Sequence, residues 1–276
     1  MLDHAAHFIG DIPLNYDLKL GPHLFSEYAA DLTRRVSAAG PRRVLETAAG
    51  TGIVTRLLRS ALPQSTRLVA SDLNAPMLMV ARGKFAGTEG IEFQTADATA
   101  LPFADGSFDA VVCQFGLMFF LDKDKAHREA FRVLMPGGRY YFSVWDSFDF
   151  NPFARVTHET VAEFFVQDPP DFFTVPFGHH RIDAIKASLL AAAFDDISVH
   201  VLKINKTISR AKQFAQGLIC GNPIIDEIEV RGTAPADVIV NAVTAALQRE
   251  FGADPGRMPL QAIVFEARRG GKKYEI

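Results

Sequence analysis

The chain has 276 residues, 48% of them hydrophobic, enough for one large α/β domain carrying an insertion. Lys and Arg number 29 against 32 Asp and Glu, a formal net charge of −3 with no basic run, so nucleic acid is not an expected partner. The two cysteines, Cys113 and Cys220, cannot build a disulfide framework, and the start Met1-Leu2-Asp3-His4 lacks the basic-then-apolar pattern of a signal peptide. The most apolar run, 108–121, holds Asp109 and Gln114 and is too short to cross a bilayer. A cytoplasmic protein without membrane insertion is the expectation.

Residues 1–23 carry Asp11, Pro13, Asn15, Gly21 and Pro22 and read as an irregular arm. Residues 24–39 set Leu24, Phe25, Tyr28, Leu32 and Val36 on one helical face, which Gly40-Pro41 ends. Arg43-Val44-Leu45-Glu46 is a short apolar strand closed by an acid, followed by the small-residue turn Thr47-Ala48-Ala49-Gly50-Thr51-Gly52. Ile53, Val54, Leu57, Leu58 and Ala61 then recur at helical spacing. Strand, glycine turn and helix in this order let a backbone approach a nucleotide-like ligand closely.

A second strand, 67–71, ends at Asp72; Asn74 is placed to cap the next helix, with Pro76 in its first turn. A third strand, 91–95, ends at Ala96-Asp97-Ala98. A fourth, 108–114, is apolar on both faces, as a central parallel strand is. A helix around 123–134, the turn Met135-Pro136-Gly137-Gly138 and a fifth strand, 139–145, follow. This alternation predicts right-handed βαβ units in a Rossmann-like, doubly wound sheet, mostly parallel with a late antiparallel strand. The domain plan is an arm and helix over 1–40, a core over 41–145, a lid over 146–180 and core again over 181–205. A helical insert over 206–256 and a last strand with its tail over 257–276 complete it. The lid holds eight of the 23 phenylalanines and a helix near 153–166. A helix is expected at 182–193, strands at 197–204 and 261–267, and helical breaks at Pro223 and near Pro235. The insert would cap the substrate or serve as a homodimer surface.

Glu46, Asp72 and Asp97 end three successive strands. In an open α/β sheet the ligand lies beyond the strands' carboxyl ends, so these acids should line one crevice. Asp72 is placed for two ribose hydroxyls, Asp97 with Ala98 for an adenine edge, and Glu46 for a positively charged tail.

The motifs resemble those of the class I S-adenosylmethionine-dependent methyltransferases. The matching stretches are 46–52, Asp72, Ala96-Asp97-Ala98 with Leu101-Pro102-Phe103, Phe108-Asp109-Ala110-Val111-Val112 with Gln114-Phe115, and 132–139. Within the family the arm, with Tyr16-Asp17, is similar to that of small-molecule, ubiquinone/menaquinone-methyltransferase-like enzymes. The resemblance implies S-adenosyl-L-methionine as cofactor, held by Glu46 with Gly50 at the methionine end, by Asp72 at the ribose and by Asp97 and Ala98 at the adenine, with Ala48, Thr51, Leu73 and Met77 as further cofactor contacts. Gln114 and Phe115 would flank the methionine portion and the donor methyl, and Tyr16, with Tyr28 as a second candidate, would fold over the cofactor. Where the family has the first of three alternating glycines this chain has Ala48, expected to keep ordinary dihedrals and to need only a small side chain.

The function implied is methyl transfer to a small, apolar or aromatic molecule, with an O, N or C acceptor left open. A sulfonium methyl needs no metal and no covalent nucleophile; His158, His179 and His180 in the lid are the candidate general bases. Two other readings stay open: a non-catalytic S-adenosylmethionine-binding partner protein, and an NAD(P)-dependent oxidoreductase. Against the latter, Thr55 stands where the dinucleotide fingerprint has its third small residue.

Overall fold

In the computed structural model, which describes residues 4–87 and 89–270, the five apolar runs of the first half form parallel strands. They are β1 (Arg43–Glu46), β2 (Arg67–Asp72), β3 (Ile91–Thr95), β4 (Phe108–Gln114) and β5 (Leu134–Trp145). Two later strands, β6 (Phe194–Ile208) and β7 (Gly256–Arg269), complete one sheet in the order β3-β2-β1-β4-β5-β7-β6. β7 runs antiparallel to both its neighbours. The strand order reverses between β1 and β4, and a crevice opens there beyond the carboxyl ends. β4 is central, so Ala110, Val111, Val112 and Cys113 are buried on both faces. β6 lies at the edge, and its residues alternate between partly covered and exposed.

The chain order of helices is α1 (Ile12–Asn15), α2 (Ser26–Ala38), α3 (Ile53–Ala61), α4 (Ala75–Arg82), α5 (Lys123–Val133) and α6 (Pro152–Ala162). Then come α7 (Thr174–Gly178), α8 (Ile182–Ala191), α9 (Ala211–Cys220), α10 (Ile224–Arg231) and α11 (Ala236–Phe251). α2 and α3 cover one face of the sheet through Ala29, Leu32, Val36, Val54 and Leu58. The breaks expected at Pro223 and Pro235 separate the three insert helices.

The arm corrects the sequence reading. Residues 12–15 are helical and 16–25 continue as a π-helix directly into α2, where an irregular arm was expected. In an α-helix the ring of Pro22 would clash with the carbonyl one turn back, and the chain is π-helical there. Leu20, Leu24 and Phe25 then anchor the segment in the core. β6 and β7 are longer than expected, their ladder running from Phe194↔Arg269 to Ile208↔Gly256. The added lengths carry Phe194, Ile208, Met258 and Leu260 into the core between polar residues, a mixed pattern that does not read as a strand. The turn expected at 135–138 is contained in β5, beside a register shift between Phe108 and Ala110. The tail residues 271–276 lie outside the described residues.

The insert helices pack on the arm and on the lid. α9 lies against the π-helical arm and α11 against α6 of the lid. Glycine makes the first contact possible: a Cβ on Gly217 would stand 2.7 Å from Leu20 Cδ2, and one on Gly221 3.0 Å from the Tyr16 nitrogen. Among the described residues no helix is long and apolar enough to cross a membrane.

Candidate active site

The turn after β1 is held from both sides. Thr47 N donates to Val112 O at 2.8 Å and Ala49 N to Ser71 O at 2.9 Å, so the loop is pinned between β4 and β2. Left-handed dihedrals alternate through it: φ is +50° at Ala48, +56° at Gly50 and +79° at Gly52. The ordinary dihedrals expected for Ala48 are therefore wrong. The pinned turn requires the left-handed region at this position, and alanine adopts it at a cost of about 1–2 kcal/mol. Phe115 is also left-handed, at φ +53°, so two non-glycine residues with this conformation face the same crevice.

Asp72, at the tip of β2, is buried and ties the turn to the next helix. Its Oδ2 accepts from Gly50 N at 2.8 Å and its Oδ1 from Asn74 N at 2.8 Å. Burial raises its pKa, against the lowering by these backbone donors. Asn74 sits at the N-terminal position of α4 as expected, but its side chain does not cap that helix. Its Nδ2 donates to Ala6 O at 2.9 Å, and its Oδ1 accepts from Phe8 N at 3.3 Å. The side chain prefers to hold the arm, and Pro76 reduces the demand for a cap by removing one helix-terminal N–H.

Glu46 is 2% exposed and accepts a hydrogen bond from Thr55 Oγ1 at 2.6 Å. Desolvation pushes its pKa up to about 8; the Thr55 bond opposes this and the charge of Asp72 adds to it.

These elements enclose a cavity of about 280 Å³. Asp72, Leu73 and Met77 line it on the β2 side, and Ala48 and Gly50 at the turn. Asp97, Ala98, Tyr16, Gln114 and Phe115 also line it. A side cavity of about 30 Å³ is shared by Glu46, Thr51, Gly50, Gln114 and Tyr16. Beside it, Thr51 Oγ1 and Gln114 Oε1 are buried with no hydrogen-bond partner. Orphaned polar atoms around a buried acid fit the zwitterionic end of an amino-acid-like ligand.

Twelve of the thirteen residues singled out for the cofactor line these two cavities. Tyr28 does not: it is 1% exposed in the core, edge-on to Phe115 and Trp145 at 5.5 and 5.3 Å. It shapes the Phe115 wall from behind. The three histidines also miss the cavities. His158 stacks on Phe148 at 5.7 Å, and His180 Nδ1 lies 2.9 Å from Phe177 O. His179 is pushed down to about 4 by burial and by the charges of Lys123 and His180. Sequence reasoning missed Phe8, Asn74, Gly116, Phe119 and Lys125, which all line the larger cavity. Gly116 carried a signal, being the glycine directly after Gln114-Phe115; Phe8 and Lys125 carried none. Among the described residues no group of three or more His, Cys, Asp or Glu is placed to hold a metal ion.

Residues 45–142 match the family model described as a methyltransferase domain. A demethylmenaquinone methyltransferase of Thermus thermophilus is 44% identical over 120 residues, 41% of this chain and 54% of the relative. A ubiquinone/menaquinone biosynthesis C-methyltransferase of Hahella chejuensis is 39% identical over 145 residues, 49% of this chain and 57% of the relative. The chain thus spans about half the length of the curated relatives it matches. Among solved structures, the Haemonchus contortus phosphoethanolamine N-methyltransferase 2, determined with phosphomonomethylethanolamine and S-adenosylhomocysteine, has a TM-score of 0.58 at 19% identity. That likeness covers 94% of this chain and 57% of that one and concerns the fold. Motif order and fold agree with this match over the strands whose tips line the cavity: residues 45–142 are similar to a methyltransferase domain.

Proposed function

We propose that the protein is a methyltransferase that uses S-adenosylmethionine to methylate a small apolar or aromatic molecule. The observation that carries this reading is the single crevice shared by Asp72, Asp97 and, through the side cavity, Glu46. Asp72 binds the ribose diol: it lines the cavity, and Gly50 N and Asn74 N hold its two carboxylate oxygens in place. Asp97 and Ala98 meet the adenine. Glu46, Thr51 and Gln114 take the amino-acid end, where a cation settles the buried acid and supplies partners for the orphaned atoms. The relatives named for quinone methylation support a flat, apolar acceptor.

When bound, the cofactor supplies a sulfonium methyl already activated for in-line displacement. The chain's own part is to bind, orient and exclude water. Phe115 and Tyr16 line the main cavity, and the Phe8–Asn74 hydrogen bond closes the arm over it. Because His158, His179 and His180 lie outside the cavities, none of them is assigned a base role. A cytoplasmic location is part of the same proposal, supported by the two free thiols.

Isothermal titration with S-adenosylhomocysteine tests the reading. The wild type binds it, and Asp72→Ala and Asp72→Asn abolish binding while circular dichroism shows a folded chain. A wild type that takes up neither donor nor product overturns it. A nicotinamide dinucleotide is disfavoured, since its pyrophosphate would lie against the buried acid Glu46.

A further inference from the structure

The two edges of the sheet are unlike. β3 is short, 5 residues, whereas β6 runs for 15, and among the described residues β7 is the only strand beside it. Keeping an edge strand short, or placing proline in it, is an ordinary defence against pairing with another chain; β6 has neither. A register shift between Asp195 and Ser198 disturbs its first part, but from Ser198 to Ile208 its ladder with β7 is unbroken.

One hydrogen bond fixes which backbone groups of β6 face outward. Asp146 N, beyond the end of β5, donates to Gln261 O at 3.1 Å, so Gln261 turns its polar groups toward β5. Residues of an antiparallel strand face one neighbour and the other in alternation. Leu260, Ala262 and Val264 therefore turn theirs toward β6, onto Ile204, Leu202 and His200. Pro259 falls in the set that faces away from β6, so its missing N–H is not one this ladder uses. The N–H and C=O groups of Val199, Val201, Lys203, Asn205 and Thr207 are left pointing at the open edge.

The side chains suit a second strand. Val201 is 45% exposed in the middle of β6, and Leu202 on the other face is only partly covered. Lys206 does not guard the edge, being drawn back into an ion pair with Glu27 of α2. Acids, Asp195 and Asp196, stand toward one end of β6 and lysines, Lys203 and Lys206, toward the other. A parallel copy would set like charges together; an antiparallel copy brings the lysine end of each strand toward the acidic end of the other.

We propose that β6 is an interface for a second copy of this chain, the two β6 strands pairing antiparallel about a two-fold axis at Leu202 and joining the two sheets into one. Val201 of each copy then lies opposite Lys203 of the other, and Val199 opposite Asn205, and these outward residues exchange their hydrogen bonds. Leu202 meets Leu202 as a non-hydrogen-bonded pair, the closer kind. An axis at Lys203 is excluded because it would oppose two ammonium groups. The interface leaves the insert free to pack on the arm and the lid, and it does not depend on the methyltransferase reading.

Sedimentation velocity of the whole chain, at up to about 100 µM, is expected to show a dimer. Val201→Pro removes one outward N–H and leaves the bonds between β6 and β7 in place, so it sediments as a monomer with unchanged circular dichroism. Leu202→Cys sets two thiols face to face across the axis and gives a disulfide-linked dimer on mild oxidation. His200→Cys and the wild type, which keeps Cys113 and Cys220, do not. A wild type that stays monomeric, a dimer that survives Val201→Pro, or crosslinking of His200→Cys in preference to Leu202→Cys overturns the proposal. If circular dichroism shows Val201→Pro unfolded, the two cysteine variants decide: a Leu202→Cys dimer supports the interface, and its absence removes it.

Discussion

The methyl of Ala48 fills the space that a side chain on Gly116 would need: a Cβ built on Gly116 lies 2.3 Å from Ala48 Cβ. Gly116 itself has φ −94°, so it is glycine for room and not for conformation. Ala48 is the reverse, left-handed at φ +50° with a side chain that the conformation disfavours. The two positions are therefore coupled. Gly116→Ala costs about 1–3 kcal/mol as an overpacking change. Adding Ala48→Gly returns part of that loss, and only part, because Cys113 Sγ also stands 3.0 Å from the new methyl. Urea unfolding of the four members of the cycle measures the coupling, expected at about 0.5–3 kcal/mol. Strictly additive single costs would remove the relationship.

The buried acid makes stability depend on pH. Glu46 is held up to about 8 in the folded chain against an ordinary 4.5, so between those values the folded state binds one proton more than the unfolded state. Stability from this group is present below about 4.5 and is lost as pH rises through about 8, at up to about 1.4 kcal/mol per pH unit. Glu46→Gln flattens that slope. A cation seated beside Glu46 reverses its preference, so binding of S-adenosylhomocysteine at pH 7 expels a proton. Calorimetry in buffers of different ionisation enthalpy reads the expelled proton directly. An enthalpy independent of buffer, with binding intact, would sink this assignment.

Much of the core was legible because its signals are local. Strand runs, the acids at their tips and the glycines after Glu46 sit within a few residues of one another, and parallel strands buried on both faces are written as continuous apolar runs. What escaped depends on distance. Nothing near Ala48 in sequence reveals that Val112 and Ser71 pin its turn, so its dihedral could not be read. Tyr28 has the chemistry of a cofactor contact, but the face of α2 that buries Leu32 and Val36 buries it too. The arm was misread because Gly21 and Pro22 break α-helices, and a π-helix tolerates them. Asn74 stood where capping residues stand; that its amide would be taken by Ala6 and Phe8 follows only from the arm's return.

That return gives a further expectation. Asn74 joins the arm to the same carboxylate that organises the turn, and the Asp17–Lys84 ion pair ties the arm to the end of α4. Asn74→Ala removes two arm hydrogen bonds and weakens S-adenosylhomocysteine about tenfold, with the change in the dissociation rate. Limited proteolysis between residues 9 and 19 accelerates in the same variant. Lys84→Met acts in the same direction and more weakly, as a partly exposed ion pair does. Unchanged dissociation in both variants would mean that the arm does not close the site.

Two buried histidines, His127 of α5 and His179 of the lid, make stability depend on pH. His127 is fully buried against Tyr140 and Phe142, with neither ring nitrogen bonded, and burial with the nearby His179 pushes it down to about 4. His179 is likewise lowered to about 4. A base whose folded pKa lies below its ordinary 6.5 binds fewer protons folded than unfolded, so stability is lost as pH falls from about 6.5 toward about 4. This slope opposes that of Glu46 where the two windows overlap. His127→Phe keeps the ring, removes the unpaired nitrogens and removes the acid loss. Its melting temperature rises above that of the wild type by more at pH 5 than at pH 8. Thermal unfolding at the two pH values decides the matter: an equal shift at both would show that the ring is merely a packing element and that protonation of His127 has no part in acid unfolding.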